Sequence, residues 1–159
     1  MLTIRPDQIQ AFDSLADAMF VDRVSEYLKE HHADTEIEVA EGKSTVRDLP
    51  DKTLHEFVQS GITRARAYGI THESSLAAFV VLQFETAPNF DEHPVLQRAL
   101  KDERVEPNLR IDRLMERASE QNWEAVRDRY DARAWHGASQ GQLGGEITLI
   151  DMPKPTQTS

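Results

Sequence analysis

The amino-acid sequence predicts an all-α fold, a compact multi-helix domain of about five to six helices with a flexible C-terminal tail that can form a short strand. Three observations predict it. Apolar residues recur at helical spacing through most of the chain, prolines and glycines fall where helices start and stop, and the composition changes abruptly at Gly137. The 159 residues divide into a helical domain over 1–136 and a Gly-rich linker and tail over 137–159. A chain of this length buries roughly two thirds of its unfolded surface, so it needs no disulfide or metal staple.

Pro6 suits the first turn of a helix, where its missing N–H costs nothing. Ile9, Phe12, Ala16, Met19, Phe20 and Tyr27 follow on one face, predicting a helix over 6–31. The polar stretch Ala33–Pro50 has little periodicity and reads as a loop, with a short helical turn near Ser44–Leu49. Leu54, Phe57, Val58, Ile62, Ala65 and Tyr68 define a second helix over 51–68, closed by Gly69. Thr71 is placed to cap a third helix running to Glu85. From Leu76 to Phe84 that helix is apolar nearly all round, the pattern of a helix covered on every side. Pro94 starts a short helix to about Lys101, and Pro107 starts another with Leu109 or Ile111, Leu114 and Ala118 inward. Ser119 either caps a last helix or marks a bend, before Trp123, Val126, Tyr130 and Ala134 carry the spacing to Trp135. Beyond Gly137, the run Ile147, Leu149 and Ile150 reads either as a strand added to a neighbour, as a segment resting on the helices, or as disordered tail.

Twenty-eight acidic against 18 basic residues leave a formal charge of −10, which repels phosphate backbones and anionic lipids, so nucleic acid is not an expected partner. No basic segment precedes an apolar run at the N-terminus, and no apolar stretch approaches the roughly 20 residues needed to cross a bilayer. Together with the absence of cysteine, this predicts a cytoplasmic chain without membrane contact. Arginine outnumbers lysine, a bias of protein-binding surfaces.

Residue types that carry chemistry are present without the spacing that chemistry needs. The six histidines include no H-E-x-x-H pair, and His31-His32 diverge on a helix, so no metal site is expected. No carboxylate is marked as a perturbed acid, no serine sits in a G-x-S-x-G elbow, and Gly141-Gln-Leu-Gly-Gly145 lacks the lysine of a phosphate loop. No catalytic residue and no cofactor are predicted, and the chain reads as a non-enzyme. The candidate partner-binding residues are Phe90, Trp123, Tyr130, Trp135, Ile147, Leu149 and Ile150. Phe90 is either a plug between helices or an exposed anchor, and Trp123, Tyr130 and Trp135 are either core or a contact face.

Several segments together resemble a family of small helical proteins encoded in bacterial type VI secretion clusters, beside genes for the PAAR or VgrG spike proteins and their effectors. They are Thr3-Ile-Arg-Pro-x-Gln8-x-x-Ala11-Phe12, then Gly61-Ile-x-Arg-Ala65-x-x-Tyr-Gly-Ile70-x-x-Glu73, then Phe84, Pro88-x-Phe-Asp91 with Pro94, and Arg110-x-Asp112-Arg-Leu114. The resemblance covers roughly residues 1–117. It implies an adaptor or co-chaperone whose partner is an effector, its chaperone or a spike component, and it carries no catalytic residue. An immunity protein masking a toxin with its acidic surface, and a helical small-molecule-binding or enzymatic domain, are the alternative classes. A homodimer is compatible with each.

Overall fold

A long helix opens the structure, a computed structural model that describes residues 6–136, with the side chains of this first helix described from residue 15 onward. The chain folds as α1 (Pro6–His31), the strands β1 (Glu36–Val39) and β2 (Gly42–Thr45), then α2 (Asp51–Arg66) and α3 (Glu73–Glu85). A 3-10 turn at Phe90–Glu92 leads to α4 (Pro94–Leu100), and another at Pro107–Leu109 leads to α5 (Arg110–Arg117) and α6 (Glu120–Asp128). A last 3-10 turn, Ala132–His136, ends the described chain. The tail with Ile147, Leu149 and Ile150 lies outside the described residues.

The fold is mostly helical rather than all-α, because the stretch expected to be a loop pairs as an antiparallel hairpin, Glu36 opposite Thr45 through Val39 opposite Gly42. Glu36-Ile-Glu-Val39 alternates polar and apolar with period two, and Ile37 is buried. Gly42, at φ +131°, follows the two-residue turn Ala40-Glu41 in a conformation that favours glycine. The expected helical turn near Ser44–Leu49 is a pair of tight turns instead, with Asp48 N–H donating to Thr45 and Leu49 N–H to Val46. The hairpin's outer edge is covered. The Tyr130 hydroxyl accepts from Glu38 N–H at 2.9 Å and donates to Glu38 C=O at 3.0 Å, while Trp135 Nε1 donates to the same carbonyl at 2.9 Å.

Helix bounds follow the sequence expectation closely for α1, α2 and α4, and three details differ. First, α1 buries Phe20, Val21, Val24 and Leu28, whereas Met19 and Tyr27 of the expected stripe are 52% and 47% exposed. Apolar residues cover two adjacent arcs of this helix, and only one arc meets α2 and α3. Second, His72, not Thr71, is the N-cap of α3, and its side chain makes no capping bond. Asn108 Oδ1 serves from outside, accepting from Thr71 N–H at 2.9 Å and His72 N–H at 2.8 Å. Third, Ser119 does cap the last helix, in a reciprocal box with Asn122, but α6 ends at Asp128 and a separate turn carries Trp135 inward.

α1 runs antiparallel to α2, as three ion pairs show: Lys29 with Asp51, Asp22 with His55 (2.7 Å) and Asp17 with Arg66 (2.9 Å). α3 lies parallel to α1, with Arg23 bonded to Glu73 at 2.9 Å. Such exposed pairs stabilise by about 0–1 kcal/mol each, so they set register more than stability. The core lies where α2 and α3 cross and is closed by aromatic rings. Trp135 stacks on Phe57 at 4.9 Å and meets Phe84 at 4.7 Å.

The crossing needs Gly61. A Cβ there would lie 2.2 Å from Gln83 Oε1 and 3.0 Å from Val80 Cγ2. Gln83 is buried and its amide donates to the Pro88 carbonyl at 2.9 Å, so it cannot retreat without losing that bond. Gly61→Ala should therefore destabilise by about 1–3 kcal/mol through overpacking, read as a lower urea midpoint with unchanged m. Gln83→Ala in the same chain should return part of the loss.

Candidate functional site

Two concave surfaces and one buried polar cluster hold the residues from which a function could be built. The cluster begins with Arg64, whose position on the inner side of α2 leaves its side chain only 4% exposed. Pro88 breaks the chain after α3, and the 3-10 turn that follows inserts Phe90 fully into the core, 4.8 Å from Phe79. Insertion of Phe90 delivers the next residue, Asp91, to Arg64. Arg64 Nε lies 2.8 and 2.9 Å from the two Asp91 oxygens, Arg64 Nη2 donates to Glu92 at 2.7 Å, and the Tyr68 hydroxyl donates to Asp91 Oδ2 at 2.8 Å. Burial opposes the Arg64 charge, but Asp91 and Glu92 outweigh it and hold Arg64 above its ordinary range. Burial first, and then the Asp91 charge, pushes the Tyr68 hydroxyl far above its ordinary value. Both Asp91 oxygens are thus engaged by partners of the fold.

This cluster is the floor of a cleft of about 780 Å³ between α1 and α2, with Asp22, His55, Ser60 and His136 on its walls. His55 is the obvious candidate for acid–base work there. Its Nδ1 lies 2.7 Å from the Asp51 carbonyl and its Nε2 2.7 Å from Asp22 Oδ1. A carbonyl and a carboxylate only accept, so these contacts favour the protonated ring, in which both nitrogens donate. The Asp51 carbonyl foremost, and Asp22 after it, raise the His55 pKa against the opposing effect of burial. Both ring nitrogens thus face acceptors of the fold. Among the described residues no group of three or more His, Cys, Asp or Glu could hold a metal ion.

The second surface is a groove of about 660 Å³ between α1, α3 and α5. Phe20, Val24, Leu82 and Ile111 form its floor, each nearly buried, while Tyr27 and Met115 stand at its sides about half exposed. Ala77, Ala78 and Val81 of α3 face it and are only partly covered. α3, expected to be covered on every side, therefore has one apolar face that the described residues cover only in part. The exposed arc of α1 continues the groove, since Ala16 and Met19 precede Phe20 and Arg23 by one turn and are both exposed.

The sequence-predicted partner residues are not gathered in that groove. Phe90 and Trp135 are core side chains at 0% and 1% exposure, so Phe90 is the plug of its two readings. Tyr130 and Trp123 are partly buried against the core, with Tyr130 spent on the hairpin edge. Ile147, Leu149 and Ile150 lie outside the described residues. Tyr27, Ala77, Ala78, Val81 and Met115 were missed as a site, although the apolar girth of α3 signalled a face in need of cover.

The buried cluster and the His55 contacts are both testable. Asp91→Leu should cost about 3–5 kcal/mol by stranding Arg64, whereas Arg64→Met with Asp91→Leu should recover most of it in the same denaturation experiment. His55 should titrate above the 6.5 of a free imidazole when followed by NMR, and Asp22→Asn should bring it down. Its folded-state pKa is raised, so its contribution to stability is complete below 6.5 and disappears as pH rises through the folded value.

No helix among the described residues is long and apolar enough to cross a membrane. No protein-family model, curated protein or solved structure matches the chain.

Proposed function

We propose that this chain is a non-enzymatic adaptor or co-chaperone that binds a type VI secretion effector, its chaperone or the PAAR/VgrG spike and assists effector loading. The observation that carries the protein-binding part is the partly covered apolar face of α3, continued along α1 as far as Met19. Monomers seldom leave contiguous apolar surface without a use for it. The resemblance over residues 1–117 supplies the class of partner. Its residues Gly61, Arg64, Tyr68, Asp91 and Arg110 are framework residues in this fold, so it speaks for a shared scaffold. The polar constellations favour the non-enzymatic reading, because Asp91 and His55 are committed to neighbours on both sides.

Co-expression of the full chain with the effectors, chaperones and spike proteins encoded beside it should give one complex of fixed stoichiometry on sizing with light scattering. Deleting the gene should abolish delivery of that effector while leaving its toxicity inside the producing cell unchanged. Rescue of cells making the toxin by this chain alone would replace the adaptor reading with immunity.

A further inference from the structure

We infer that the groove between α1, α3 and α5 takes a basic amphipathic helix from a partner protein. This rests on the protein-binding reading above and specifies its contact surface, without depending on which secretion component supplies the helix.

The walls of the groove settle what kind of segment fits. All three are helices that present side chains, so no strand edge is offered for an extended peptide to pair with. Ala77 and Ala78, which face the groove from α3, are small and let a facing backbone come close. Phe20, Val24, Val81 and Ile111 offer an apolar seat between them. A helix entering such a channel buries residues spaced by three and four.

Charge settles what flanks those anchors. Among the described residues the groove is rimmed by Glu73, Glu85 and Asp112 against Arg23 alone. Arg23 already bonds Glu73 at 2.9 Å, and His32 approaches Glu85 only to 3.8 Å. Lysine or arginine beside the anchors would therefore find Glu85 and Asp112 waiting, with association steered by a chain of formal charge −10. The same charges disfavour the two occupants that this chain itself could supply. A second copy joined through the same face would set Glu73, Glu85 and Asp112 against an identical acidic rim. The tail segment Ile147-Thr-Leu-Ile150 is flanked by Glu146 and Asp151. Both meet like charge, which is costly at an interface.

The test uses the isotope-labelled full chain and a designed helical peptide of about five turns, with leucines on one face and lysines beside them. Two controls are a scrambled peptide of identical composition and a peptide with glutamate in place of each lysine. The lysine helix should bind, shifting the resonances of Tyr27, Ala77, Ala78, Val81 and Met115. Its affinity should exceed that of either control by at least about tenfold. Tyr27→Ala and Met115→Arg alter half-exposed side chains and should each weaken it by about tenfold in a protein of unchanged thermal midpoint. Equal binding of all three peptides, or shifts spread beyond the groove, overturns the inference. So does self-association abolished by Tyr27→Ala, which assigns the groove to a homodimer, or peptide binding that appears only after truncation at His136, which assigns it to the tail. A secretion complex that forms while the lysine helix fails to bind would sink this inference and leave the adaptor reading standing. The reverse result would keep the groove and remove the adaptor reading.

Discussion

The contact between Arg64 and Asp91 is the constraint from which the arrangement of the helices follows. A guanidinium on the inner face of α2 is tolerable only if carboxylates meet it there, and both come from the short turn after α3. That turn must then lie against α2, which puts Phe90 into the core beside Phe79 and starts α4 immediately after His93, whose Nδ1 accepts from Val95 N–H. A second arginine extends the same logic. Arg110 donates to the carbonyls of Val105, Leu100 and Tyr68, each at 3.0 Å, so the start of α5 is tied to the ends of both α4 and α2. Buried ion pairs of this kind contribute less to net stability than their Coulomb energy suggests, since desolvation offsets much of it. Their effect here is positional, because a misplaced turn would leave a bare charge inside the protein.

The outer layer obeys a weaker constraint and is correspondingly less complete. α1 is aligned by exposed ion pairs and, among its described residues, by four buried apolar side chains, and its Asp17 already stands at the last turn of α2. The turns before Asp17 extend beyond that helix by about 16 Å, at ~1.5 Å per residue. On the far side of α1, apolar residues continue past the buried arc onto Leu15, Met19 and Tyr27. The same excess occurs on α3, where Ala77, Ala78 and Val81 repeat the apolar character of the buried faces. Two neighbouring helices that each carry more apolar surface than the core consumes leave a channel between them. That channel is a consequence of sequence pattern, whatever fills it.

How much of this was legible in the sequence depends on the range of the interaction concerned. Apart from Thr71, which is not the cap of α3, and Ser119, which the sequence left open between cap and bend, local signals were legible where one residue acts on its own neighbours: Pro6 and Pro94 at helix starts and Gly69 after α2. Signals that need a distant partner were not. The hairpin is four residues a side, and its outer edge is satisfied by Tyr130 and Trp135, more than ninety residues away. Asn108 supports the start of α3 from 36 and 37 positions downstream. Of the expected α1 stripe Phe20 lies in the core while Met19 and Tyr27 lie on a second arc of the same helical period, and only the packing of α2 and α3 decides between the two. Phe90, Trp123, Tyr130 and Trp135 were legible as large side chains with a purpose, but whether an aromatic closes the core or meets a partner is a question of tertiary placement.

The buried framework and the apolar seat of the groove involve different residues, although Glu73 and Asp112 of the groove's rim also lie in the segments that carry the resemblance. Gly61 permits the α2–α3 crossing, Arg64, Tyr68 and Asp91 form the buried cluster, and Arg110 ties α5 to the rest. Each has a steric or electrostatic role that few other side chains could take over, so each stands out in a short motif. The groove is built otherwise, from alanines, valines, a methionine and a tyrosine whose requirement is only to be apolar and of suitable size. Such positions tolerate exchange among similar side chains. A surface whose requirement is only apolar character and size therefore leaves no motif, whereas buried polar residues do. The function of this chain is accordingly to be sought in the charge and shape of what α1, α3 and α5 leave open, because Gly61, Arg64, Tyr68, Asp91 and Arg110 are already occupied in holding the fold together.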